Sequence, residues 1–345
     1  MMNKLRLLSI IVVSLFGIQT LQAQNGGFVG SASRIGFGPK AMGMGNAMTA
    51  TTSQGAYAHY NPALASLNQG YTQFMLGASS MEFDRVHQTV GVNFELPPKA
   101  GFSLNLIRSG VNNIDGRTVS GYPTGDFNSS EYQLLGAFGI RMSEKFNAGI
   151  GFKLNYSDLH DEIDPATSIG IDIGMLYHIS NSLKFGFAIQ DMFAEYSFNS
   201  SELYGLAQAR NVVNKFPTRF KWGLSHQTEK LTVSIDYEIQ AYTSEIKTTD
   251  ALVVNGSPQT FETISEIKTN AKQFRIGSAW NAHERFTLRA GYSLPDLSET
   301  ASWGLSSGFS VLLPFDKFSP SIDYAFVVEP NQIANIHVFS LSLHL

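Results

Sequence analysis

The sequence predicts an all-β protein, a transmembrane barrel of about 14 antiparallel strands with a short N-terminal helical hatch in its lumen. Apolar and polar residues alternate along many separate segments, and the connections between those segments alternate between short and long. Only 15% of the residues are charged, whereas soluble domains contain about 25%. The mean hydropathy of −0.04 is expected when an apolar outer band surrounds a polar lumen.

The N-terminal segment 1–23 has the features of a secretory signal peptide. Lys4 and Arg6 precede an apolar run from Leu7 to Ile18, and the small residue Ala23 marks a cleavage site. A transmembrane anchor is the alternative, but the run has about 12 residues and a spanning helix needs about 20. We therefore expect cleavage after this segment, export, and insertion in a bacterial outer membrane.

The strands are predicted by a period of two in the region 71–345, the expected barrel domain. In one segment Leu231, Val233 and Ile235 alternate with polar residues, as in a strand with one apolar face. A soluble β-sandwich or propeller is the alternative, but its strands typically have five or six residues, whereas segments of about nine to twelve match a tilted strand across lipid. The predicted segments are 71–79, 86–95, 100–109, 131–141, 146–157, 169–179, 182–193, 216–226, 230–239, 271–281, 285–294, 302–312, 318–327 and 334–345.

The connections between the segments sort by length. Those after even-numbered segments are short, as at Pro97–Lys99 and Ser180–Asn181. Outer-membrane barrels have short turns on one side and long loops on the other, whereas a β-sandwich gives no reason for such sorting. The longest connections follow odd-numbered segments, at 110–130, 158–168, 194–215 and 240–270.

Composition excludes several classes of function. After the signal segment no apolar window reaches about 18 residues, so the sequence predicts no helical membrane span. The chain has no cysteine, which excludes disulfides, thiol nucleophiles and thiolate metal sites. The formal net charge is −4, and because no basic stripe is present we expect no nucleic-acid partner.

The segment 24–70 differs from the barrel and is predicted to form the hatch. Methionines and glycines between Met42 and Met48 predict a small-residue helix or turn that packs tightly. Residues 56–67 predict a short helix broken before Pro62, because proline disfavours helix at the preceding residue. The hatch motif that we single out consists of Gly43, Met44, Gly45, Asn46, Asn61, Pro62 and Ala63.

Three runs carry a resemblance to a known family: Pro39–Ala47, Tyr57–Ala65 with its Asn-Pro-Ala, and Val111–Arg117. The chain resembles the PorV/PorQ family, which is related to the FadL-like long-chain fatty-acid transporters. The resemblance covers nearly the whole mature chain. It implies a 14-stranded barrel plugged by its own N-terminus, in an outer membrane of the Bacteroidetes kind, and a role as an accessory of type IX secretion.

The densest group of carboxylates lies in one predicted loop. Oxygen-rich loops can bind Ca²⁺, but this loop lacks the spacing and the glycine of an EF-hand. A solvated acidic loop tip is therefore the favoured interpretation, and we predict no metal site. The residues concerned are Asp158, His160, Asp161, Glu162 and Asp164.

Four charged residues fall on the predicted lumen faces of the ninth to eleventh segments. Asp236, Glu238, Arg275 and Arg289 form either a catalytic set or, more commonly in barrels, charge pairs that polarise the lumen. The eight histidines are scattered without the i, i+4 pairing of a zinc helix. The sequence therefore predicts no catalytic residue and no cofactor, and a protein that is not an enzyme.

Two functions remain open. The first is an accessory of protein secretion that binds or anchors exported proteins through the loops 110–130, 194–215 and 240–270, because rigid scaffolds display function on loops. The alternative is a FadL-like channel for hydrophobic small molecules, in which the methionine-rich stretch provides an adaptable apolar site. Outer-membrane lipid is the expected partner in both cases.

Overall fold

The computed structural model describes residues 29–345, except 56, 68–69, 200–211, 255–256, 295–302, 314, 316–318 and 330–333. The side chains of residue 212 and of residues 244–267 are also outside this description. The predicted signal peptide 1–23 and the start of the predicted hatch segment lie outside the described residues.

Fourteen antiparallel strands close into a barrel, and two further strands form a separate small sheet. Strand β1 pairs with β16 from Gln73 opposite His344 to Met81 opposite Ile336, and this ladder closes the barrel. The predicted fold class is therefore confirmed. The strands are β1 Gln73–Met81, β2 Arg85–Leu96, β3 Ala100–Arg117, β4 Pro123–Arg141, β5 Phe146–Asp158, β6 Ala166–His178, β7 Leu183–Met192, β8 Glu195–Phe198, β9 Val212–Lys215, β10 Thr218–Gln227, β11 Leu231–Val254, β12 Ser257–His283, β13 Phe286–Leu294, β14 Gly304–Leu312, β15 Ser321–Val328 and β16 Asn335–His344.

The two faces of the wall differ in polarity. Along β3, Ser103, Asn105 and Ser109 are buried in the lumen, whereas Leu104 and Leu106 are exposed on the outside. Because strand side chains alternate between faces, a period of two in sequence becomes an apolar outer band and a polar interior. A closed wall also leaves no unpaired strand edge, which lipid would not tolerate.

The connections define two ends of the barrel. We call the end with Pro97–Lys99 and the other short turns the turn end, and the opposite end the loop end. Thr72 and Leu345 bond to each other through their backbones, which places the start of β1 and the end of β16 at the turn end.

Two of the predicted long loops are instead mostly strand. In place of a loop at 110–130, β3 continues to Arg117 and pairs with β4 from Pro123. In place of a loop at 240–270, β11 and β12 pair as far as Val254 opposite Ser257. The prediction was wrong because it required one apolar face, and a two-stranded ribbon that projects beyond the barrel wall needs only cross-strand backbone bonds.

The third predicted loop, 194–215, contains the strands β8 and β9. Glu195 pairs with Lys215, and the ladder runs to Phe198 opposite Val212. Tyr196 and Phe198 pack with Phe216 into an apolar cluster. This small sheet covers part of the loop end.

The hatch contains three short helical turns inside the barrel. They are a first 3₁₀ helix Ala32–Arg34, helix α1 Pro39–Met42 and a second 3₁₀ helix Pro62–Ser66. The second 3₁₀ helix begins at Pro62, the proline that was predicted to break a longer helix. No helix in the described part of the chain is long and apolar enough to cross a membrane.

Candidate functional site

The hatch runs through the lumen from the loop end to the turn end. Gly30 lies against Phe216, next to the start of β10. Further along, the Ser53 hydroxyl lies 2.8 Å from that of Thr232 at the start of β11. The chain then crosses the turn end, where Asn147 donates to the Ser66 hydroxyl at 2.7 Å.

A strip of directly paired glycines holds the end of the hatch against the wall. We call Gly101, Gly139, Gly149 and Gly174, which are paired in register across β3 to β6, the glycine strip. A Cβ atom on any of them would come within 3.0 Å of an atom of Asn61–Ser66. Real Cβ atoms essentially never approach so closely, so the hatch contacts the wall here only because side chains are missing.

Two other glycine pairs on the wall contact the middle of the hatch. Gly186 and Gly223, paired between β7 and β10, face Thr49. Gly277 and Gly291, paired between β12 and β13, face the backbone of Met44 and Gly45. The Gly-Met-Gly of the predicted hatch motif therefore meets glycine on the wall, which allows backbone to approach backbone.

Asn61 of the hatch motif joins three parts of the molecule. Its Oδ1 accepts from the backbone of Ala63 at 3.0 Å and caps the second 3₁₀ helix. Its Nδ2 donates to the carbonyls of Thr49 at 2.8 Å and Met175 at 3.0 Å. The residue is fully buried, so each bond replaces one that water would make.

Asn46 links the two halves of the hatch motif. Its Nδ2 donates to the carbonyl of Ile35 at 3.1 Å, and its Oδ1 accepts from the Tyr60 hydroxyl at 2.6 Å. The backbone of Gly45 donates to Ser306 on β14 at 3.0 Å. The structure thus brings together residues that the sequence separates, and it places the motif at packing contacts.

The predicted lumen charges lie on the inner face of the wall. Glu238 accepts from Arg275 at 2.7 Å, and Asp236 accepts from both the backbone and the hydroxyl of Thr49, at 2.9 and 2.6 Å. Arg289 donates to Gln54 at 2.8 Å. Two of these residues therefore anchor the hatch, and the prediction that they polarise a filled lumen agrees with their position.

Further charged residues lie on strands where no sequence motif singled them out. Lys153 donates to Asp172 at 2.8 Å and to Asp191 at 2.6 Å, and Asp191 also accepts from Arg219 at 2.7 Å. On the other side, Lys40 of the hatch lies 3.7 Å from Asp323. For the charges on strands, a lone charged residue in an alternating pattern is the only sequence signal, and Lys40 lies in the hatch helix.

Burial controls the ionisation of two hatch residues. It lowers the pKa of His59 well below its usual range, and the nearby cations Lys153, Arg219 and Lys221 lower it further. It also lowers the pKa of Lys40, although Asp323 opposes this shift. His59 is therefore neutral at physiological pH.

A cavity of about 300 Å³ lies between the hatch and the strands β12 to β16. Its polar wall includes Arg34, Asn46 and Arg275, and its apolar wall includes Met42 and Ile336. A volume of this size falls at the lower end of the range of ligand pockets, about 300–1,000 Å³. The cavity is the main candidate for a binding site.

The cavity reaches a place where two wall strands separate. The β14–β15 ladder ends at Ser306 opposite Val327. Beyond it, β14 stays paired with β13 as far as Gly304, and β15 stays paired with β16 as far as Val328. We call this separation the fork.

Outward-facing residues of the fork border the same cavity as inward-facing ones. Leu305 lies between the buried Gly304 and Ser306 and is 47% exposed, so it faces outward. Val328 follows Val327, which packs on the inner cluster of Met42 and Ile336. All of these fork residues except Gly304 line the cavity, so the cavity reaches the wall at the point where the β14–β15 ladder ends.

An ion pair lies beside the fork. Glu329, which lines the cavity directly after β15, accepts from both terminal nitrogens of Arg85 at 2.8 Å. Sequence reasoning missed the cavity, the fork and this pair, because all three depend on contacts between distant residues.

The predicted acidic loop has a local role in the structure. Asp158 ends β5, and Asp164 accepts from Asn199 at 2.9 Å. Across the residues that the structure describes, no three His, Asp or Glu side chains group in a way that would hold a metal ion.

The fold is that of solved hydrocarbon transporters. The toluene transporter TbuX of Ralstonia pickettii superimposes with a TM-score of 0.62 at 16% identity, covering 90% of this chain and 98% of that one. The toluene transporter TodX of Pseudomonas putida gives 0.60 at 15% identity, covering 90% and 98%. A FadL homologue of Pseudomonas aeruginosa gives 0.56 at 12% identity, covering 89% and 98%.

The shared feature is the 14-stranded barrel over nearly its whole length. No known family profile matches the chain, and no curated protein matches it by sequence. The FadL-like fold is therefore established by structure. The finer resemblance to PorV/PorQ stays a prediction from the sequence.

Proposed function

We propose that the protein is an outer-membrane channel for small hydrophobic molecules, which pass between the cavity and the lipid through the fork. The observation that carries this proposal is the cavity lined by residues of β14 and β15 where the ladder between these two strands ends. An apolar molecule that reaches the cavity has a route into the bilayer without crossing the polar, filled centre of the lumen. Such a route favours apolar solutes, because lipid is their preferred solvent.

The fold similarity supports the same proposal. The solved structures with this fold are named as toluene transporters and as a FadL homologue, and none of these names describes an enzyme. They favour the channel over the secretion accessory that the sequence resemblance implied. The secretion role and the binding of exported proteins stay predictions, which no comparison supports.

The fork can be closed by one engineered disulfide, because the chain has no native cysteine that could form a competing disulfide. Leu305 and Val328 would continue the register of Ser306 and Val327. We expect the double variant Leu305→Cys/Val328→Cys, once oxidised, to reduce the uptake of radiolabelled toluene by cells to the level of cells without the barrel. Reduction with dithiothreitol should restore the uptake.

The control is a cysteine pair one step inside the ladder. Ser307 and Phe326 are directly opposite and already paired, so a disulfide between them changes nothing in the wall. Ser307→Cys/Phe326→Cys should transport equally in both redox states. If the oxidised fork variant takes up toluene as fast as the reduced one, or if the wild type adds nothing to uptake, the proposal is wrong.

A further inference from the structure

Lys221 on β10 is a buried cation without an anionic partner. The residue is 2% exposed. Its ammonium group donates to the carbonyl of Tyr60 at 3.2 Å and lies 5.1 Å from the centre of the Tyr60 ring. Within the described residues no carboxylate lies within 4.0 Å of this group. Buried charges are normally paired, so Lys221 requires an explanation.

Two carboxylates near Lys221 are engaged elsewhere. Glu238, which is directly opposite Lys221 in the β10–β11 ladder, accepts from Arg275. Asp191 accepts from Arg219 and Lys153. A third, Asp236, accepts from Thr49 through Oδ2 and has no partner at Oδ1 among the described residues, but it does not come within 4.0 Å of the Lys221 ammonium group. Two of the three ammonium hydrogens of Lys221 are therefore left without a protein acceptor among the described residues.

Two further buried nitrogen atoms beside Lys221 lack hydrogen-bond partners. Arg219 Nη2 and His59 Nδ1 have no partner in the described structure. Both residues are 4% exposed. Leaving such a group unsatisfied costs about 1–3 kcal/mol, so three unsatisfied donors or potential donors at one place indicate a missing acceptor.

All three residues line one small space between the hatch and the wall. Arg34 and Arg275 also border it, and Glu238 is its one carboxylate among the described lining residues. The space is about 10 Å³, which is close to the room needed by a single water molecule. It therefore admits one small occupant.

The charge of the interior favours a negative occupant over water. Among the described residues, the buried charged side chains are six lysines and arginines against five carboxylates. Arg275, whose side chain is 13% exposed, adds another cation to the lining. An anion would neutralise part of this excess, whereas water would not.

We propose that a monatomic anion of the size of chloride binds between Lys221 and Arg219 of the wall and His59 of the hatch. The ammonium and guanidinium groups supply charge-assisted hydrogen bonds, and neutral His59 donates from Nδ1 in the corresponding tautomer. The ion thus fastens the hatch to β10. The proposal does not rest on the proposed transport function, although Arg34 and Arg275 border both spaces.

Bromide tests the proposal directly, because it can replace chloride and scatters anomalously. We expect crystals of the full chain grown in sodium bromide to show an anomalous peak within hydrogen-bonding distance of Lys221 Nζ. In solution, replacing gluconate with chloride at constant ionic strength should raise the midpoint of thermal unfolding until the site is saturated, because a ligand that binds only the folded state stabilises it.

The test variant is Lys221→Met, and the matched control is Lys184→Met. Lys184 is a buried lumen lysine on β7 whose ammonium group donates to Gln227, outside the proposed site. Lys221→Met should lose both the bromide peak and the dependence of the unfolding midpoint on chloride, whereas the control should keep both.

Three outcomes would overturn the proposal. A wild-type map without a bromide peak would show that water fills the space, and this map decides even if Lys221→Met fails to fold. An equal peak in Lys221→Met would indicate an adventitious ion only. A chloride dependence that is unchanged in Lys221→Met would place the stabilising ion elsewhere.

Discussion

The wall at β3 to β6 packs directly against the hatch, whereas the wall at β14 to β16 leaves a cavity beside it. On the first side, the glycine strip lets Asn61–Ser66 lie directly on the strands. On the second side, inward-facing side chains such as Val327 and Ile336 border an open cavity. The absence of side chains on the wall, more than the shape of the hatch, therefore decides where the lumen is filled.

The largest effect is expected on the packed side. Gly174→Val would place side-chain atoms where Asn61 and Pro62 now lie, and overpacking against fixed backbone costs about 3 kcal/mol. We expect a large loss of thermal stability in detergent, with displacement of the hatch. Gly136→Val is the matched control, because a Cβ there meets only Phe102 at an ordinary 3.7 Å. If the two variants are equally stable, the glycine strip is not what allows the hatch to pack against the wall.

An intermediate effect is expected where a carboxylate holds the hatch. Thr49→Val removes the hydroxyl that donates to the fully buried Asp236, and a buried acceptor that loses a partner costs about 1–3 kcal/mol. Thr52→Val is the control, because its hydroxyl bonds to Gln227 at a partly exposed position, and its loss should cost less than about 1 kcal/mol. Denaturant unfolding measures both. A reversed order would contradict the anchoring role of Asp236.

The smallest effect on stability is expected on the open side. Val327→Phe adds carbon atoms that can enter the cavity, so the free energy of unfolding should change by less than about 1 kcal/mol, while toluene uptake should fall. Ala325→Phe, two residues away on the same strand and fully buried, should cost about 3 kcal/mol. If both variants are equally unstable, the cavity gives no room for a larger side chain at Val327 and the wall at β14 to β16 is as tightly packed as the wall at β3 to β6.

Part of the fold could be predicted because it depends on local pattern. Alternation around residues such as Leu231 and Val233 identified barrel strands without knowledge of any partner, since strand side chains change face at every residue. The ribbon of β11 and β12 escaped prediction because residues outside lipid need no apolar face. The second 3₁₀ helix was partly predictable, since Pro62 marks where a helix begins.

The candidate site depended on distant contacts and was not predictable. Asn46 and Asn61 were selected from the sequence as one motif, but their bonds to Tyr60 and to the carbonyls of Thr49 and Met175 appear only in the folded chain. Lys221 was not selected at all, because nothing in an alternating strand shows whether a lysine will meet a carboxylate.

The sequence alone determined that this chain forms a closed β-barrel with a segment of different character before it, because a period of two and the sorting of connection lengths are local properties. Contacts between distant residues set which wall strands the hatch meets, where the β14–β15 ladder ends, and that no carboxylate of the described residues pairs with the buried Lys221. These features arise between residues far apart in the chain, such as Thr49 and Asp236, and their geometry follows from how the strands close.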